Sequence, residues 1–322
     1  MKIKGNRFVT SILAASMLSG AFFVPASAGE LEGESAIAGM AVTLNNYYAG
    51  EETPEVVCDY IENKDFQTVT EIQDEILSDY ADDFSKHAPV AEIEKLRMIW
   101  ESIPKQLAKD NNKFVFSHVK KGIRAHELEA ALGWLKNAGL IHVLELVQNA
   151  EVPLSFNADA TYFKVYMSDI GLLSRRLGVS INDYMSENDT LKSSKGAITE
   201  NYVMNELLNQ KKMPYYWKSG NTAELDFIYE NDGNIVPVEV KAATNTQAKS
   251  YRQFCKKYEP KIGYKVSLKN IASNMVHETN TETIKIAVES FLTRTTVLKS
   301  FLFAYFIKTS APKVVLSNFL QP

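Results

Sequence analysis

Three residues in the stretch AELDFIYENDGNIVPVEVKA have types and spacing that could do chemistry: Asp226, Glu239 and Lys241. Asp232-Gly233, set between two apolar runs, is a strong hairpin signal, because a two-residue turn needs positive φ at its centre. With those residues at the turn, Asn231 pairs with Asn234, and counting back sets Asp226 directly opposite Glu239. Opposed cross-strand side chains lie within about 5.5 Å at Cβ, close enough to share one cation. Glu239 and Lys241 are two apart and project from one strand face, while Val238 and Val240 point the other way, into a core. Carboxylates this close repel unless a cation or a proton intervenes.

Glu200 is the fourth candidate. On a helix predicted over 196–212 it falls at the centre of an arc made by Ala197, Val203, Met204 and Leu207. A carboxylate inside an apolar stripe is costly without a partner, and either a metal ion or a lysine can serve. Together the four residues fit hydrolysis of a phosphodiester. Asp226 and Glu239 would hold Mg²⁺, a hard cation that prefers oxygen, with Glu200 reaching it directly or through a water. The ion would lower the pKa of its water and polarise a phosphoryl oxygen. Lys241 would orient the attacking water or stabilise the pentacovalent transition state. Taken singly, each residue reads as part of an ordinary ion pair, such as Asp226 with Lys241 on a half-exposed hairpin. All four in this order point to a restriction-endonuclease-like domain, with catalysis left open because folds outlive their chemistry.

The elements that must position these groups follow from periodicity. Val69, Ile72, Ile76, Tyr80 and Phe84 recur at helical spacing until Pro89, and Ile93, Leu96, Ile99, Trp100 and Ile103 mark a second helix. Pro104 is expected to open a short third piece at 105–109. Leu128, Leu132 and Leu135 form another helical stripe, stopped by Gly139, and a strand follows from Ile141 to Val147. Helices followed by a helix-Gly-strand unit read as a winged helix-turn-helix, or else as an ordinary small helical domain. From Tyr162 the texture becomes α/β: strands at 164–167, 214–218, 223–229, 235–242 and 262–268, helices at 171–177, 196–212 and 246–258. The expected fold class is therefore α/β (α+β), a winged-helix-like segment over 66–150 followed by a nuclease-like domain over 160–272 with a central mixed sheet.

Charge is segregated along the 322 residues, although the net charge is only -4. Residues 29–94 hold seventeen acids and two lysines, whereas 241–270 hold eight basic residues and one acid, Glu259. The basic helix 249–257, with Lys249, Arg252, Lys256 and Lys257, would follow a nucleic-acid backbone. Cys58 and Cys255 form no CxxC pair, and the five histidines are scattered without ligand spacing, so structural zinc is not expected.

At the N-terminus, Lys2, Lys4 and Arg7 precede an apolar core, and Ala26-Ser27-Ala28 supplies a cleavage site; 1–28 therefore reads as a secretory signal that implies export. No stable transmembrane segment is expected, since this apolar stretch is short and carries serines. Residues 29–65 read as an acidic linker. From Ser273 the chain is expected to leave the α/β pattern in an atypical tail, 273–322.

The segments TEIQDEILSDYADDFSK, KLRMIWESIPKQLAK, ALGWLKNAGLI, KVYMSDIGLLSRRLG, GAITENYVMNEL, YYWKSGNTAELDFI and VPVEVKA span about two thirds of the chain. This region resembles the C-terminal part of prokaryotic AAA-type ATP-binding proteins. There a P-loop domain precedes a winged helix and a domain of unknown function related to PD-(D/E)XK nucleases. The resemblance implies Glu200, Asp226, Glu239 and Lys241 as a nuclease-like site, in a cytoplasmic protein. The P-loop pattern GxxxxGK[ST] does not occur in this sequence, so no ATP site and no ATPase activity are expected here. A catalytically silent DNA- or protein-binding module, or a truncated or rearranged remnant of an ATPase gene, is the alternative reading.

Overall fold

The computed structural model describes residues 65–109, 112–180, 183, 189–220, 223–241, 248–267, 274–278 and 281–287. The signal-like segment, nearly all of the acidic linker, and residues 288–322 of the tail lie outside them. Within them the chain is mixed α/β: seven helices around one eight-stranded mixed sheet.

Helix α1 (Phe66–His87) starts where expected, and the carboxylate of Asp65 before it accepts the Gln67 amide at 2.9 Å and so caps the first turn. It packs on α2 (Ile93–Leu107), and Arg175 ties it to a later helix by a two-pronged pair with Asp74 at 2.7 and 2.6 Å. Pro104 does not open a new piece; it lies inside α2. A helical proline leaves the carbonyl four residues back without a donor. Here that carbonyl is Trp100 O, and Arg176 Nη1 donates to it at 2.8 Å while the guanidinium sits 5.3 Å from the Trp100 ring centre. The orphan is satisfied from another element, which local sequence could not reveal.

After α3 (Phe116–Val119), α4 (Ala125–Asn137) buries Leu128, Ala131 and Leu135 and stops at Gly139, with φ +73°. The strand that follows, β1 (Ile141–Val147), is not a separate wing. It pairs antiparallel with β2 (Ala158–Met167) and parallel with β3 (Tyr215–Ser219), so it is an internal strand of the common sheet. One core accordingly runs from Phe84, Leu96 and Leu128 through Tyr166, Val203 and Phe227 to Ile284. The expected boundary near 150–160 falls between two paired strands.

The remaining elements are α5 (Ile170–Leu177), α6 (Lys192–Asn209), β4 (Ala223–Asn231), β5 (Asn234–Lys241), α7 (Lys249–Tyr258), β6 (Ile262–Ser267), β7 (Asn274–Glu278) and β8 (Thr281–Ala287). Strand order is β2-β1-β3-β4-β5-β6-β8-β7. The chain therefore keeps its α/β pattern beyond residue 273: β8 lies parallel to β6, and β7 pairs antiparallel with β8. α6 packs on the core that holds Tyr216, Phe227 and Val238. α7 covers the other face, burying Tyr251, Phe254 and Cys255 on Trp217, Leu225 and Ile228. Gly263 is required where β6 passes beneath α7: a Cβ there would collide with the Tyr251 hydroxyl and with Pro237. Among the described residues no helix is long and apolar enough to cross a membrane.

Replacing Arg176 by Ala should cost roughly 1–3 kcal/mol, because the Trp100 carbonyl is left buried without a donor. Urea unfolding of the Arg176→Ala protein measures this, and a loss below about 0.5 kcal/mol would show that water replaces the guanidinium.

Candidate functional site

The β4–β5 hairpin forms as the sequence requires. Asp232 and Gly233 occupy the turn with φ of 50° and 70°, and Asn231 pairs with Asn234. The ladder continues in that register to Phe227 and Val238, and there it ends. One step further Asp226 was expected opposite Glu239. Instead, its Oδ2 accepts the Val240 amide at 2.7 Å. The cause lies on the other side of β4. Tyr215 pairs with Ile228 but Trp217 with Leu225, so Asp226 and Phe227 together stand opposite Tyr216. This β-bulge adds one residue to β4 and turns the strand at the position that carries the acid.

On β5, Val236, Val238 and Val240 enter the core, and Glu239 and Lys241 form an ion pair at 2.6 Å. Glu239 is 3% exposed and Lys241 37%, so the pair leads from the interior to solvent. The second oxygen of Glu239, Oε2, is buried without a hydrogen-bond partner. Burial raises its pKa, and the Lys241 charge only partly offsets that. Asp226 is pushed well above the carboxylate range, by burial first and then by the charges of Glu239 and Glu200. The charges of Glu239 and Glu200 thus both bear on Asp226.

Glu200 has a different environment. α6 is clamped to the end of β2 by Asn201, which donates to Met167 O at 2.7 Å and accepts from Met167 N at 2.8 Å, and by Asn205, which donates to Ser168 O at 2.9 Å. These two amides, one helical turn apart, fix the height and rotation of α6. Glu200, next to the clamp, is thereby brought against Lys164 and Tyr166 of β2. Lys164 Nζ lies 3.1 Å from its Oε1, the Tyr166 hydroxyl donates to the same oxygen at 2.5 Å, and Asn112 Nδ2 reaches both oxygens at 2.8 Å. Burial would raise the Glu200 pKa, but the Lys164 charge and these donors outweigh it and hold the carboxyl below its usual value. Lys164, 1% exposed, also pairs with Glu224 at 3.0 Å, and its carboxylate neighbours keep it charged against the pull of burial. Lys164 thus supplies Glu200 with a buried counter-charge.

Lys164, Tyr166, Asn112 and Glu224 were not singled out from the sequence. A signal existed: Lys164 interrupts the apolar run TYFKVYM, where a charge needs a buried counter-charge. All four sequence candidates lie in the same region, yet Glu200 is bonded to Lys164 while Glu239 is bonded to Lys241. Among the described residues no group of three or more His, Cys, Asp or Glu is arranged to hold a metal ion.

Residues 46–183 match a domain of unknown function, DUF8612, and residues 195–289 match a second, DUF4143. The second match covers most of α6 and the strands that carry Asp226, Glu239 and Lys241, and it runs through β8. No curated protein and no solved structure matches this chain.

Two predictions follow from the charges. Lys164→Met should cost about 3–5 kcal/mol or abolish folding, since it strands the buried Glu200. Adding Glu200→Gln should recover much of the loss, because Glu224, 30% exposed, can turn to water. Equal stability of the single and double variants in denaturant melts would refute the pairing. In metal-free buffer the raised pKa of Asp226 makes its contribution largest below the ordinary carboxylate pKa. That contribution is lost as pH rises, since the folded chain then holds a proton that the unfolded chain has released. Asp226→Asn should flatten this fall, as read from unfolding midpoints across pH in a chelating buffer.

Proposed function

We propose that residues 195–289 form a restriction-endonuclease-like domain that cleaves a phosphodiester bond with help from a divalent cation. The observation that carries this reading is the buried, unpartnered Oε2 of Glu239, beside an Asp226 whose carboxyl is forced toward its neutral form. A hard cation at Asp226 and Glu239 would relieve both costs, since oxygen donors suit Mg²⁺. The chemistry it would supply is Lewis-acid polarisation of a phosphoryl oxygen. Lys241, at the solvent edge of the Glu239 pair, would orient a water or stabilise the negative charge developing on the phosphoryl oxygens. Glu200 would reach the cation through a water, because Lys164, Tyr166 and Asn112 already occupy its oxygens. The exposed basic residues of α7, Lys249, Arg252, Lys256 and Lys257, would supply salt-dependent attraction to a nucleic acid.

A second reading is favoured by a specific observation. Lys164 supplies Glu200 with a built-in cation, and such a centre is consistent with a catalytically silent module that binds nucleic acid or protein. The two readings separate in one assay. The purified protein is incubated with supercoiled plasmid and Mg²⁺, alongside Asp226→Ala and Lys241→Ala. Nicking that needs Mg²⁺ and drops about 100-fold or more in both variants supports cleavage. Cutting that survives in both would remove these residues from the chemistry. Plasmid binding without cutting would favour the silent module.

A further inference from the structure

Lysines also crowd the far side of Glu224. Lys113 lies on the outer edge of β2, opposite Lys164 in an isolated antiparallel bridge. Lys218 stands opposite Glu224 across β3 and β4, with its Nζ 3.8 Å from Glu224 Oε2. Lys164 takes the other oxygen at 3.0 Å. One carboxylate therefore serves two lysines, and a third, Lys113, is in no ion pair among the described residues. Burial and then the nearby Lys218 ammonium depress the Lys113 pKa, as expected for like charges held together. A second, independent feature lies beside them. Tyr216 is fully buried, Lys164 sits 5.2 Å from its ring centre, and its hydroxyl has no hydrogen-bond partner although it lies near Glu224 and Lys164. Buried hydroxyls are rarely left unpaired, and crowded ammonium groups call for an anion.

We propose that Lys113, Lys218 and the Tyr216 hydroxyl form an oxyanion subsite for a phosphate group, adjoining the candidate active site. The occupant, on the phosphodiesterase reading, is a phosphate of the bound strand next to the one cleaved. Alternate residues of β2 support that continuity. Tyr162, 50% exposed with Lys113 5.4 Å from its ring centre, is followed two and four residues on by Lys164 and Tyr166, the latter donating to Glu200. This row leads from solvent to the buried acid, and a half-exposed tyrosine beside Lys113 offers a base a stacking surface next to its phosphate. The strand would then enter over β2 and β3.

The test is phosphate binding, read without any cutting. The full chain is titrated with inorganic phosphate by calorimetry in chloride buffer without divalent ions, with unfolding midpoints recorded for every variant. Saturable binding is expected, weakened about tenfold or more in Lys113→Ala/Lys218→Ala, retained in Lys113→Arg/Lys218→Arg, and reduced in Tyr216→Phe. Absent binding in the parent protein, or equal binding in all variants, would overturn the subsite. Should the alanine pair fail to fold, the arginine pair and Tyr216→Phe decide: binding unchanged by Tyr216→Phe and lost in the arginine pair counts against it. A thymidine oligonucleotide should displace the phosphate; tight phosphate binding that it leaves untouched would overturn the strand as occupant. Phosphate binding in a protein that cuts no plasmid would keep the anion subsite and refute the cleavage reading instead.

Discussion

The ion pair between Glu200 and Lys164 is the constraint around which this sheet and its helices are arranged. A lysine that is 1% exposed can keep its charge only if the fold surrounds it with carboxylates, and Glu200 and Glu224 come from two different elements to do so. Such pairs contribute little net stability, because desolvation offsets most of the attraction, but breaking one is expensive. Their effect is on geometry. α6 cannot slide or rotate on β2 without pulling Glu200 from Lys164, Tyr166 and Asn112, and the Asn201 and Asn205 amides lock the same contact through the backbone.

The second constraint is the bulge in β4. A regular ladder on both sides would have placed Asp226 as one more strand residue. The extra residue opposite Tyr216 ends the pairing with β5 early, and Asp226 uses its side chain to satisfy a β5 amide. Two poorly matched acids thereby come to lie at the hairpin's open end, one bound to a backbone amide and one to Lys241. Carboxyl groups held in this state are costly for the fold, and an arrangement retained at a cost is where function is reasonably sought.

The helical segment before the sheet is part of the same unit. Its core is continuous with that of the sheet, and Arg176 reaches back from α5 to complete the hydrogen bonding of α2 around Pro104. Asn112, from the segment just after α2, donates to Glu200 itself. The first half of the chain thus helps to build the centre that the second half carries.

Sequence by itself determined the local geometry. Asp232-Gly233 set the hairpin and its register, Gly139 ended α4, and the alternation through VPVEVK sent the valines inward and left Glu239 and Lys241 together. These features were legible because each depends on φ preference or period-2 spacing within a few residues. What the tertiary structure decided needs partners far apart in sequence. Lys164 became the partner of Glu200 across 36 residues; β1 joined the common sheet instead of a wing; the residues after 273 added two strands; and Pro104 stayed inside a helix because Arg176 was there to bond. Strand partners and buried counter-charges are chosen by long-range packing, which no local window of sequence contains.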